Sequence, residues 1–166
     1  MYSTALLFRL VKILSVFALG LMALLIVFGN ITDYNTNYLF VKHVLKMDTT
    51  FPDANIHYRS IDNNFIVNAG YIFIIVLEAL MAFCCLKGSW LLIKHVKSDP
   101  EVFHACKNWS IAGLLIGITI WFLGFEVVGG EWFSMWQSQD WNGLDSANRM
   151  VTFIGLVLIL LQFKET

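Results

Sequence analysis

The sequence predicts an all-α polytopic membrane protein: four transmembrane helices in a bundle, with an outer-face cap that includes a short amphipathic helix. Three observations predict it. First, 58% of the 166 residues are hydrophobic and 14% charged, with a mean hydropathy of +0.68. A soluble domain carries about a quarter charged residues, so this surface would not stay wetted. Second, four long apolar runs are separated by polar segments. Third, period-two alternation is absent, and lipid leaves backbone groups to be satisfied within their own segment, which selects helices. The composition excludes a soluble enzyme. A net charge of −1, without a general basic face, excludes nucleic acid as a partner. Two prolines and the lack of low-complexity tracts argue against disorder.

The first span, about 10–29, rests on Ile13 to Gly29, 17 residues without charge. Arg9 and Lys12 precede it as in a signal peptide. The run is longer than an h-region, so it reads as an uncleaved anchor. The outer segment 30–64 follows. Tyr34, Tyr38, Val41 and Leu45 recur there at helical spacing, with Thr32 or Asp33 as N-cap and Pro52 beyond the end. This predicts an amphipathic helix over about 33–47. The second span, 65–86, contains 22 residues interrupted only by Glu78. The inner loop 87–107 is broken at Asp99-Pro100. The third span, 108–128, opens with 18 charge-free residues. The outer loop 129–146 starts at Gly129-Gly130 and turns at Asn142-Gly143. The fourth span, 147–163, has a charge-free run of only 14 residues from Met150 to Phe163. It crosses about 30 Å of hydrocarbon only if it includes Ala147, Asn148 and Arg149. The whole chain, 1–166, reads as one transmembrane domain, with no internal repeat.

Charge sets the expected orientation. With the N-terminus inside, Arg9, Lys12, Lys87, Lys94, Lys97, Lys107 and Lys164 lie on the inner side. Lys42, Lys46, Arg59 and Arg149 lie outside. Seven against four favours both termini in the cytoplasm. Eight of the twelve acids fall on the outer side. Trp90 and Trp109 at the inner ends, with Trp132, Trp136 and Trp141 in the outer loop, read as interfacial anchors. Cys84, Cys85 and Cys106 fall near the inner face, where thiols stay reduced, so no disulfide is expected.

Glu78 is the most informative residue. It lies near the middle of its span, with Asn68, Tyr71 and Cys85 on the same helical face. One reading is a proton- or cation-handling carboxylate. The other is a protonated Glu hydrogen-bonded to a neighbouring helix. With no second carboxylate or His at that depth, the structural reading is preferred. Glu126 and Arg149, near the outer ends of their spans, form a candidate ion pair that offsets the cost of both charges. Gly113 and Gly117 make a G-x-x-x-G, with Gly124 seven residues on, a face that admits close helix approach within the bundle or between copies.

His43 and Met47 sit four apart on the predicted outer helix, with His57 and Met135 elsewhere outside. Such ligands suit a soft metal, but a single pair is a weak signal and no metal or other cofactor is assigned. His95, His104 and Cys106 lack zinc-ligand spacing. No His falls inside a span, which excludes a buried bis-His haem. No nucleophile has a partnered base, so no catalytic residue is assigned. The sequons at Asn30 and Asn108 carry no weight.

The first-loop run NITDYNTNYLFVKHVLKMDTTFP, the stretch GGEWFSMWQSQDWNG and the four-span spacing resemble an uncharacterised family of bacterial predicted small integral membrane proteins. The resemblance covers essentially the whole chain. It implies a bacterial inner-membrane location and adds no catalytic site. The expected function is a non-enzymatic structural, accessory or assembly component of a membrane complex. An oligomeric ion or small-solute transporter or channel using Glu78 is the alternative, and an outer-face metal-binding protein comes third. The expected partners are the lipid bilayer and either further copies of the chain or another membrane protein.

Overall fold

The computed structural model describes residues 4–164. Its helices are α1 (Thr4–Thr32), α2 (Tyr34–Lys46), α3 (Asn64–Lys94), α4 (Pro100–Ala105), α5 (Asn108–Ile118) and α6 (Leu144–Gln162). From Thr119 to Trp132, α5 continues as a π-helix, in which each N–H reaches five residues back instead of four. Phe133 N donates to Val128 O at 3.0 Å as this segment ends. Single 3-10 turns lie at His57–Arg59 and Met135–Gln137.

Four stretches are long and apolar enough to cross a membrane: α1, α3, Pro100–Trp132 and α6. The 31 residues of α3 rise about 46 Å, against about 30 Å of hydrocarbon, so α3 reaches into both headgroup layers. The 19 residues of α6 rise about 28 Å. That helix begins before Ala147 and includes Arg149, the extension the fourth span required. Large apolar side chains such as Leu14, Phe28, Phe73, Leu115 and Leu156 point away from the bundle, as lipid-facing positions do.

Helix α3 is the spine of the bundle, packed between α1 and α5. Lipid tails are as apolar as leucine, so helices in a membrane associate where small side chains let backbones approach. A methyl at Gly20 of α1 would lie 2.9 Å from Cys85 Cβ. On the opposite flank, Gly88 abuts Ser110, and Gly113 abuts Cys84 and Cys85. Gly117 meets Ile154 of α6 and Met81 of α3. The G-x-x-x-G is therefore used inside the bundle. Gly124, expected on the same face, is exposed and has only Thr119 O of its own helix nearby. The switch to five-residue steps at Thr119 changes the angular advance, so a spacing of seven no longer returns to one face.

The end remote from α2 is held by charged donors. Arg9 Nη1 donates to Val96 O at 2.8 Å and Ser98 O at 2.6 Å, past the last turn of α3. Lys107 Nζ donates to Leu161 O and Phe163 O, both at 2.9 Å, and Lys12 Nζ also reaches Phe163 O. Carbonyls at a helix C-terminus lack intrahelical donors and carry partial negative charge, which the two lysines meet at the end of α6. Two bases assigned to the inner face from charge alone thus also finish a helix end, and a third, Arg9, holds the turn that follows α3. Lys87 lies 3.5 Å from the Trp109 ring centre and Lys94 3.7 Å from that of Trp90, so both expected anchors carry a cation on their faces.

At the other end, α2 lies over α3 and α1 as a cap. Its bounds agree with the amphipathic spacing. Asp33 precedes it without capping a backbone N–H, and instead accepts from Thr36 Oγ1 at 2.9 Å. Met47 closes it in the left-handed region (φ 57), which its fully buried side chain holds in place. The segment after α2 is tied to the loop 133–143: Thr49 Oγ1 and Ser138 Oγ are 2.8 Å apart, and Phe51 N donates to Gln137 Oε1 at 3.0 Å.

Two glycines test this packing with opposite signs. Gly113→Ala places a methyl 2.5 Å from Cys85 Sγ and 2.9 Å from its backbone N. The helices must separate, and a loss of about 1–3 kcal/mol is expected, read as a lower melting temperature in detergent. Gly155→Ala meets nothing within 4 Å and is expected to gain up to about 1 kcal/mol from helix propensity.

Candidate functional site: a polar cavity under the cap

Glu78 is 3% exposed, 14 residues into α3, about 21 Å along its axis. Its Oε2 accepts from Asn30 Nδ2 at 2.7 Å. Asn30, at the last turn of α1, also accepts at its backbone O from Tyr71 OH at 3.1 Å. One asparagine therefore ties α1 to two positions of α3. Tyr34 of α2 donates to Asn68 Oδ1 at 2.5 Å, and its ring meets that of Tyr71 edge-on at 4.7 Å. Tyr38 OH, one turn on, donates to Asn64 Oδ1 at 3.4 Å. Tyrosines four apart on α2 thus face asparagines four apart on α3, and the network runs without a gap from the cap to Glu78.

Of the four residues expected to share a polar face, the structure joins Glu78, Tyr71 and Asn68. Cys85 is separate: it is buried between Gly20 and Gly113 in the apolar core, with Leu114 and Met81. Asn30 is the member that sequence reading missed. It directly follows the first apolar run, and a polar side chain there is the signal that could have found it. Which residue of another helix it meets is not encoded in spacing.

A cavity of about 460 Å³ opens beneath the cap. Glu78 and Asn30 line its buried end and Asp140 its exposed end. Phe40, Phe125 and Trp141 make a continuous aromatic wall. Phe40 is stacked on Phe125 at 6.1 Å and meets Trp141 edge-on at 6.3 Å. Tyr71 and Trp121 complete the aromatic lining. Trp141, expected as an interfacial anchor, is instead half-buried in the cap and stacked on His43 at 4.5 Å. Trp132 and Trp136 are about half exposed, as anchors require. A second cavity of about 320 Å³, between α2, α3 and the π-helix, is apolar; Gly124 and Met135 line it, and none of the candidate polar or charged residues does.

The Glu126–Arg149 pair does not form among the described residues. Glu126 Oε1 is buried without a hydrogen-bond partner, while Arg149 is exposed. The inward stripe of α6 is Ala147, Ile154 and Leu161. Arg149, two residues after Ala147, points about 200° away from that stripe, where a long side chain reaches the headgroups.

The residues weighed for a metal go elsewhere. His43 Nδ1 pairs with Asp48 at 3.0 Å, and His57 Nε2 lies 3.2 Å from Phe51 O. Met47 and Met135 are buried. Among the described residues no three His, Cys, Asp or Glu cluster as metal ligands.

Two variants test these assignments. Asn30→Leu leaves Glu78 without its donor and is expected to cost about 1–3 kcal/mol. Asn30→Leu with Glu78→Leu is expected to recover part of that, because both polar partners are gone. Arg149→Ala is expected to leave the melting temperature in detergent unchanged, whereas a dry ion pair with Glu126 would cost about 3–5 kcal/mol.

No curated protein and no solved structure matches the chain. Residues 8–164 match the family described as "predicted small integral membrane protein (DUF2165)", and the chain belongs to that family.

Proposed function

We propose that this is a non-enzymatic accessory or assembly component of a membrane complex, with both termini in the cytoplasm of a bacterium and its cap on the outer face of the inner membrane. The observation that carries this reading is the aromatic rim of the cap. Phe51, Tyr58, Trp132 and Trp136 are each about half or more exposed, yet they belong to an ordered surface. Phe51 packs edge-on against Trp136 at 5.9 Å. The Arg59 guanidinium lies 4.8 Å from the Trp132 ring centre and donates to Trp132 O at 3.3 Å. Pre-ordered Trp, Tyr and Arg side chains are the groups on which protein interfaces concentrate their energy. The orientation is supported by the seven bases at the end away from the cap.

Mass measurement in mild detergent is expected to give an assembly heavier than the 19.0 kDa chain. Trp132→Ala combined with Trp136→Ala is expected to return it to the lone chain without lowering the melting temperature. A wild-type protein that is already a lone chain contradicts the reading.

The cavity favours a second reading, an oligomeric transporter or channel for an ion or small solute. It brings polar lining from the cap down to Glu78, which a purely structural carboxyl does not need. On this reading Glu78→Gln alters flux in proteoliposomes while the protein stays folded, since Gln still accepts from Asn30. Unchanged flux in the folded variant counts against it.

A further inference from the structure

We propose that the cavity beneath the cap is a binding site for a small organic cation, an alkylammonium group, with Glu78 as its counter-charge and the aromatic wall as its cage. The lining carries two carboxylates, Glu78 and Asp140, and among the described residues no Lys, Arg or His. An anion would therefore meet only like charge. Glu78 is almost fully buried and only Oε2 is engaged, by Asn30; Oε1 accepts no hydrogen bond from a described residue. The buried end of the cavity thus offers one carboxylate oxygen with nothing to balance it.

The rest of the lining decides which cation fits. A hard metal ion needs about six or more oxygen ligands converging on one point. The oxygens of this lining are spread from Glu78 and Asn30 at the buried end to Asp140 and Asn142 at the exposed end, with five aromatic side chains between. Among the described residues no three His, Cys, Asp or Glu cluster as metal ligands. Asn30 O, a nearby carbonyl, already accepts from Tyr71. Aromatic faces attract alkylammonium groups through their negative quadrupole without requiring hydrogen bonds, and tryptophan does so best. Phe40, Phe125 and Trp141 supply a connected set of rings along the lining, and Trp121 a further one. A volume of about 460 Å³ is within the range of small-ligand pockets and holds such a group with a short substituent. Asp140 at the exposed end draws the cation in, and Glu78 balances it at depth.

This deepens the transport reading by naming the ligand class, and it stands without transport. Equilibrium binding separates the two. Saturable binding without flux leaves the site in place, and flux that depends on Glu78 without cation binding removes it.

The test is titration calorimetry of the full chain in maltoside micelles with tetramethylammonium and with choline. Wild type is expected to bind both saturably, and 3,3-dimethyl-1-butanol, the neutral isostere of choline, much more weakly. Glu78→Gln and Trp141→Leu are each expected to weaken binding by about tenfold or more, as loss of a counter-charge or of the best cage face implies. Asp140→Asn, a change at the exposed end that leaves the core untouched, is expected to weaken it less. Added phosphatidylcholine or phosphatidylethanolamine identifies the source. Competition with tetramethylammonium points to a lipid headgroup, and indifference points to a free solute; either outcome supports the site. Wild-type protein that shows no saturable binding overturns the proposal. So does equal affinity for the neutral isostere, or folded Glu78→Gln and Asp140→Asn variants that both bind like wild type.

Discussion

A carboxyl group halfway along a membrane-crossing helix must find a donor, because the hydrocarbon offers none. Asn30 is the donor for Glu78, and the rest of the cap end depends on that bond. By also accepting from Tyr71, Asn30 fixes where α1 ends against α3. That position sets the point at which α2 turns back over the bundle. The Tyr34 and Tyr38 hydroxyls then meet Asn68 and Asn64, so the cap is aligned by the same helix face that carries the buried acid. Replacing Asn30 by an apolar residue removes the donor to Glu78 and leaves the backbone carbonyl that accepts from Tyr71 in place.

The two ends of the bundle solve different problems. At the basic end, Lys12 and Lys107 fill carbonyls that the end of α6 leaves open, and Arg9 holds the turn after α3. Close glycine contacts along α3 hold the helices near this end at backbone distance. At the cap end the helices are spread by aromatic side chains, and the space between them is the cavity. The π-helix belongs to this wider region. It begins one residue after α5 ends and carries Trp121 and Phe125 into the cavity wall. Rigid packing below and an aromatic-walled space above is an arrangement suited to holding a ligand without moving the bundle.

Much of the architecture was legible in the sequence, because hydropathy and periodicity act along one chain. The four spans, the extension of the last through Arg149, and α2 with its tyrosine stripe follow from run lengths and helical spacing. So does the closeness signalled by Gly113 and Gly117. What did not follow depends on meetings between helices or on a change of helical step. Asn30 was unremarkable until α1 was laid against α3. Gly124 left its expected face because the π-helix altered the angular advance. Arg149 turned outward because α6 buries Ala147 and the residues seven and fourteen beyond it. Trp141 resembled its neighbours in composition, and only the fold of the loop placed it against Phe40 and His43.

The central claim is that an anionic, water-reachable space runs from the cap to Glu78. Ala147, buried at 1% exposure and lining that space, is the place to measure it. Ala147→Cys, with wild type as the baseline for the native thiols, can be treated from the cap side with two methanethiosulfonate reagents, one bearing trimethylammonium and one sulfonate. The account predicts reaction with both, with a cation-to-sulfonate rate ratio about tenfold or more above that of a small free thiol in solution, as steering by the Glu78 and Asp140 carboxylates requires. No reaction above the wild-type baseline, or a ratio no larger than that of the free thiol, would contradict it.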